Sequence, residues 1–200
     1  MASTTAGRSR TYLLAAALLC ALTVPGCGGP GDPADAPEGS AGPARPTAAA
    51  AAEGRFDATA IGWMQLMIAL DDQARHLLAL APDRSADPGL GRWAAGLAEG
   101  KGRELRTLRA LLAETGVPDD NPHEGHDMPG MVDARELAAL RAAEGPRFDR
   151  LLCSALREHL LQTRKLAASM GAADADRAVR DAALAAGDSA AEALRRMPAA

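Results

Sequence analysis

Between Asn121 and Met131 the chain reads NPHEGHDMPGM. His123, His126, Met128 and Met131 stand there at i, i+3, i+5 and i+8. Imidazole suits copper and zinc, and thioether sulfur is a soft ligand that favours Cu(I). Two prolines and two glycines in the same stretch argue against a helix. Gly125 and Gly130 permit the sharp turns by which a loop can bring four side chains onto one ion. Asp119, Asp120, Glu124 and Asp127 add negative charge and can offer oxygen ligands to Cu(II). The competing reading is a plain connector with solvated polar residues. DMPGM then forms a turn, and Met128 or Met131 packs on the end of a helical bundle.

Other chemistry-bearing residues read differently. His159 lies among Leu152, Leu156 and Leu160, the setting of a core histidine bonded to a neighbour, with metal ligation as the sharper alternative. Met64, Met67 and Met170 read as core filler. His76 falls near a helix end, where a cation suits the macrodipole. Asp71, Asp72 and Arg75 read as a solvated face with an i, i+4 pair from Asp71 to Arg75. Cys153, flanked by leucines and alanine, reads as a small buried apolar residue. Cys153 and Ser154 stand six and five residues from His159, off its helix face, and no glycine-rich phosphate loop is present. The chain is expected not to be an enzyme.

The elements that position these residues are helices. The composition is alanine-rich with 2% aromatics, which suits close-packed helices better than a β sandwich. Ile61, Met64 and Ile68, with Trp63, Met67, Leu70 and Leu77, repeat at helical spacing and predict a helix over 57–81 stopped by Pro82. Asp87 as N-cap with Pro88 behind it opens a second, running to about Thr115. Gly96, Gly100 and Gly102 weaken its middle, allow close approach or mark a bend. Asp133 caps a short helix through Ala143. A long helix follows over 146–170, and a last one over 174–197 carries a small stripe of Val179, Ala182, Ala186, Ala193 and Met197. RFD opens the first long helix at 55–57 and recurs at 147–149. The chain therefore reads as two helical hairpins, about 56–116 and 146–198, joined by a linker at 117–145. Their apolar faces can close on each other as a four-helix bundle.

What precedes the bundle reads as an address and a tether. Arg8 and Arg10, then the apolar run Tyr12 to Val24, then VPGC ending at Cys27, form a leader. A small residue before a cysteine resembles a bacterial lipoprotein signal. That resemblance implies a signal peptide over 1–26, lipid on Cys27, and a membrane anchor on the outer, extracytoplasmic face. Ordinary secretion with another cleavage point and an uncleaved anchor are the alternatives. Residues 27–53 are rich in Gly, Pro and Ala and predict a disordered tether, leaving 54–200 as the folded domain. With Cys20 and Cys27 assigned to the leader and lipid, Cys153 has no disulfide partner. The net charge is −4 and no Lys/Arg block stands out, which argues against nucleic acid as a partner. No feature names a protein partner.

The order of leader, tether, hairpin, HEGHDMPGM, DARELAALRAAEGPRFDRLL and second hairpin resembles the ferritin-like family called domain of unknown function 305. The resemblance spans about 56–197 and implies an all-α, ferritin-like four-helix bundle made of two hairpins. It implies an extracytoplasmic protein, and one branch of the family is associated with copper binding. Typical members open each hairpin with a motif close to MIPHHEGA. Here the first copy reads MIALDDQA, with Leu70 and Asp71 where the histidines would stand. The second reads LREHLLQT, keeping only His159. A family metal site inside the bundle is therefore expected to be lost or reduced. The E-x-x-H motif of di-iron sites is absent from both hairpins. The expected function is non-enzymatic binding of a metal ion, copper first, through His123, His126, Met128 and Met131, with His159 as a further candidate ligand. The alternative is a structural or protein-interaction helical module that has lost the family site.

Overall fold

The computed structural model describes residues 54–123 and 128–199. The expected signal peptide (1–26), tether (27–53), lipidation site Cys27 and candidate ligand His126 lie outside the described residues.

Six helices and no strand occur among the described residues. They are α1 (Ala58–Leu78), α2 (Ala81–Arg84), α3 (Pro88–Glu114), α4 (Ala134–Ala142), α5 (Gly145–Gly171) and α6 (Arg177–Arg196). Helix starts follow local chemistry. Asp57 caps α1 by accepting from the Ala60 amide at 2.7 Å, and Asp87 caps α3 by accepting from Gly89 at 2.7 Å. Asp133 and Glu136 form a reciprocal capping box on α4.

Three expectations need correction. α1 ends at Leu78, short of Pro82, which lies in the first turn of α2, where its missing N–H breaks no helical bond. α6 starts later than Asp174, because Asp176 supplies the cap, accepting from Ala178 at 2.8 Å. Its buried residues are Val179, Ala183, Ala186 and Ala190, while Ala182, Ala193 and Met197 are partly buried. The two RFD copies are not equivalent. Asp57 is a cap, but Phe148 and Asp149 lie inside α5, whose N-cap is Glu144.

The four long helices close as two hairpins, α1 on α3 and α5 on α6. α1 also packs on α5, and α3 on α6, so the helices form a ring. This is the ferritin-like four-helix arrangement. Trp63 Nε1 donates to the Leu166 carbonyl at 3.2 Å, and Trp93 Nε1 donates to Ala193 at 3.2 Å. Each tryptophan thus ties the first hairpin to the second. A Cβ at Gly187 would stand 3.1 Å from Ala167 Cβ, so the small α6 stripe does allow close approach to α5. The buried apolar residues form two groups. One includes Phe56, Met64, Met67, Leu105, Leu112, Met170 and Val179, and the other includes Leu77, Leu90, Leu97, Phe148, Leu156 and Ala190. Cys153 belongs to the second group as a free buried thiol.

Candidate functional site

Where the two apolar groups meet, the core is polar. On α1, Asp71 follows Leu70 of one group and precedes Ala74 of the other; on α3, Lys101 falls between Leu97 and Leu105. Asp71, Lys101 and Thr163 are fully buried, and His159 is nearly so. Lys101 Nζ lies 2.8 Å from Asp71 Oδ1 and 2.7 Å from Glu104 Oε2. The contact with Glu104 has hydrogen-bond geometry, whereas that with Asp71 is an ion pair without it. His159 Nε2 stands 3.6 Å from Asp71 Oδ1, beyond hydrogen-bond reach.

This overturns the reading of Asp71 as a solvated partner of Arg75. Local spacing favoured the i, i+4 pair, but the bundle turns Asp71 inward onto Lys101. Asp72 keeps the outer position and pairs with Arg109 at 2.6 Å. Nor does His159 have the hydrogen-bonded neighbour expected of a core histidine, since neither ring nitrogen has a partner.

Two carboxylates share one ammonium, and the electrostatics follow from that. Burial alone would lower Lys101, but the Asp71 and Glu104 charges outweigh it and hold the ammonium charged. Burial pushes Asp71 up to about 7 despite the opposing Lys101 charge, and Glu104 adds to the rise. The opposite pulls are consistent, because Glu104 takes the directed hydrogen bond and Asp71 keeps the desolvation cost. Burial and then the Lys101 charge hold His159 well below its ordinary value. The Gly130 backbone opposes that shift without completing a hydrogen bond to either ring nitrogen.

The inter-hairpin loop is fixed to this region at several points. Arg109 donates to Asp119 at 2.7 Å and to Asp72, which secures the start of the loop. Asn121 accepts from the His123 amide at 3.0 Å in a local turn. The Met131 amide donates to the Met128 carbonyl at 3.0 Å, closing the turn expected of DMPGM. Gly130 has φ of 85° and faces α5; a Cβ there would lie 2.6 Å from Gln162 Cβ and 3.4 Å from His159 Cα. Gln73 then clamps the exit, donating to the Val132 carbonyl at 3.0 Å and accepting from its amide at 2.8 Å.

The loop and α1 enclose a cleft of about 920 Å³. His123, Met131, His76, Asp72, Asp119 and Asp120 are among its walls. His123 Nε2 is buried there with no hydrogen-bond partner among the described residues. Of the candidate ligands, the structure brings His123 and Met131 to this cleft. Met128 lies half-buried in the turn beside it, and His159 lies under Gly130 in the core. Sequence reasoning missed three participants. His76 had only its helix-end position as a signal. Gln73 and Lys101 offered none, because a lone Gln or Lys inside a helix usually marks a solvated face.

Fit to a metal differs between the two places. The cleft offers imidazole, thioether and carboxylate groups, a set that suits copper. In the core, an ammonium already stands between the carboxylates, so Asp71, Glu104 and His159 as arranged do not fit a metal ion. Among the described residues, no three His, Cys, Asp or Glu side chains stand in a metal-binding arrangement.

The chain is a two-hairpin helical bundle with a charged layer in its core and a pinned inter-hairpin loop. The match is specific: the chain belongs to the domain of unknown function family DUF305, whose pattern covers residues 60–199. The fold is similar to a DUF305 protein of Streptomyces coelicolor classed as secreted, with TM-score 0.63 and 19% identity, covering 70% of this chain and 89% of that one. It is also similar to a DUF305 fragment from Deinococcus radiodurans, with TM-score 0.65 and 20% identity, covering 72% of this chain and 95% of that one. No curated protein matches the chain.

Proposed function

We propose that this is an extracytoplasmic protein, lipid-anchored through Cys27, that binds a metal ion without catalysing a reaction. The metal is copper, held at the cleft under the inter-hairpin loop. The observation that carries the reading is His123, whose Nε2 is buried without a partner among the described residues, in a cleft also lined by Met131, His76 and four aspartates. A buried imidazole nitrogen left unbonded is costly unless something occupies it. Histidine and methionine together select copper over hard cations. The structural neighbour classed as secreted supports the location.

A second reading has its own observation. Lys101 stands among the core carboxylates, as expected of a family member that has given up its bundle site and serves as a helical interaction module.

Titration of the full chain with Cu(I), Cu(II) and Zn(II) separates the two. The comparison is a variant with His123, His126, Met128 and Met131 all changed to alanine. The loop reading expects tight copper binding that the variant loses. Equal binding by both proteins would reject it.

A further inference from the structure

The chain holds no Lys/Arg block in sequence, yet the winding of α5 assembles one. Its exposed residues Arg147, Arg150, Ser154, Arg157, Leu161 and Arg164 follow at steps of three and four, which places them on one helix face. Lys165, also exposed, adjoins them. The two acids of α5 do not balance these five cations. Asp149 is buried and accepts from the Ala86 amide, which leaves Glu158 as the exposed one. Among the described residues, none of the five cations forms an ion pair. Like charges so spaced repel along a helix, so the stripe does not stabilise α5 itself. The flanking helices do not extend it. α6 pairs Arg177 with Asp181, and Arg195 and Arg196 with Glu192, while α4 and its cap set Asp133 and Glu136 against Arg135 and Arg141. In a chain of net charge −4, the outer face of α5 is a local reversal of sign. At its middle lies a recess of about 280 Å³ lined by Arg150, Ser154, Arg157, Glu158 and Leu161, with Cys153 buried beneath. Leu161 is half exposed there, an apolar side chain among cations.

We propose that the face of α5 from Arg147 to Lys165 is a membrane-docking surface that seats the phosphates of anionic lipids. Two guanidiniums and a hydroxyl around one recess are groups that take a phosphate. An apolar side chain between them suits the boundary of headgroups and acyl chains, where basic amphipathic helices lie. The stripe runs for about 26 Å along a convex helix, so it matches a flat, extended polyanion rather than a peptide, which a groove would hold. The proposal rests on the lipid anchor proposed above for its proximity to a bilayer. The tether that the sequence predicts over 27–53 has, as a coil, an r.m.s. reach of about 28 Å. Arg55, near the start of the described residues, bonds Asp176 beyond the end of α5, and Trp63 bonds Leu166. The chain therefore enters the bundle at the end where α5 carries Arg164 and Lys165. An anchored domain meets the bilayer at high effective concentration, where a weak electrostatic contact suffices.

The test uses the mature chain from residue 27 onward with Cys27→Ala, so that no lipid confers binding. Its partition onto vesicles of phosphatidylglycerol mixed with phosphatidylcholine is measured by sedimentation, beside vesicles of phosphatidylcholine alone. The chain should bind the anionic vesicles at low salt, release them at high salt, and bind the neutral vesicles far less. Arg150→Gln, Arg157→Gln and Arg164→Gln together should weaken binding roughly a hundredfold, and Glu158→Gln should strengthen it about fivefold. All four positions are exposed, and unchanged circular dichroism confirms that each variant is folded. Arg75→Gln, Arg103→Gln and Arg106→Gln remove the same charge from exposed positions on α1 and α3 and should leave binding nearly unchanged. No binding to anionic vesicles, equal binding to neutral ones, or equal loss in the two triple variants would overturn the proposal. Failure of the anchor shows elsewhere: the full chain would distribute alike between membrane and soluble fractions of cells with Cys27 native or changed to alanine. That outcome would reject the anchor, while the vesicle result still decides the stripe.

Discussion

Asp71 shows how far one residue's behaviour can depart from its sequence context. Its folded-state proton affinity is raised, with the midpoint near about 7 against an ordinary value of 3.8. Between those values the folded chain holds a proton that the unfolded chain has released. Its contribution to stability is therefore fullest at acid pH and is lost as pH rises through 7. His159 acts in the opposite sense. Its folded value is depressed, so the unfolded chain gains a proton first and stability falls as pH drops below about 6.5. Thermal melts from about pH 5 to 8 should show the native chain losing stability relative to Asp71→Asn, which keeps the His159 effect, as pH rises to about 7. Parallel curves would mean that Asp71 is not the titrating group. Gly130 offers a second test. Its φ of 85° and the 2.6 Å approach to Gln162 leave no room for a methyl group. Gly130→Ala should cost about 1–3 kcal/mol in urea denaturation. It should also speed hydrogen exchange at the Met131 amide, whose bond closes the turn.

Legibility at the scale of the element depended on how local each cause was. Caps at Asp57, Asp87 and Asp133 act within three residues of themselves; Asp87 and Asp133 were readable as caps, and Asp57 only as the start of its helix. The last helix was read as starting at 174, and only the folded geometry shows that Asp176 caps it. Its carboxylate also accepts from Arg55 Nε at 2.9 Å, which draws the N-terminus of α6 toward the start of α1. The loop was readable as a turn with useful ligand types, but not as a clamped one. Its fixing depends on Gln73 and Arg109, which reach it from helices 59 and 10 residues away in sequence. The Asp71–Lys101 pair was hidden for the same reason, since its partners lie on different helices and only the bundle register brings them together. Gln73→Ala removes both bonds to Val132 and should raise exchange at the Val132 amide while leaving helix content unchanged by circular dichroism.

At the scale of the whole molecule, the two hairpins are held by apolar closure and by two indole hydrogen bonds. Trp63 reaches α5 and Trp93 reaches α6. Replacing either with Phe should cost about 1 kcal/mol for the lost hydrogen bond, plus a smaller packing loss. The sites share no partner, so the two costs should add in the double variant to within about 0.5 kcal/mol. Guanidinium denaturation of the three variants checks this. A coupling well beyond that margin would show that the hairpins dock as one unit rather than through two separate fastenings.

The same two side chains supply the molecule with an optical readout. They are its only tryptophans, and its one tyrosine, Tyr12, lies outside the described residues. Each indole sits where one hairpin meets the other. Emission from the folded domain is therefore a signal of hairpin separation, while circular dichroism reports helix content. If the red shift in emission preceded the loss of ellipticity on heating, the hairpins would be parting as intact helical pairs. If the two changes coincided, the bundle would be melting as a single cooperative body.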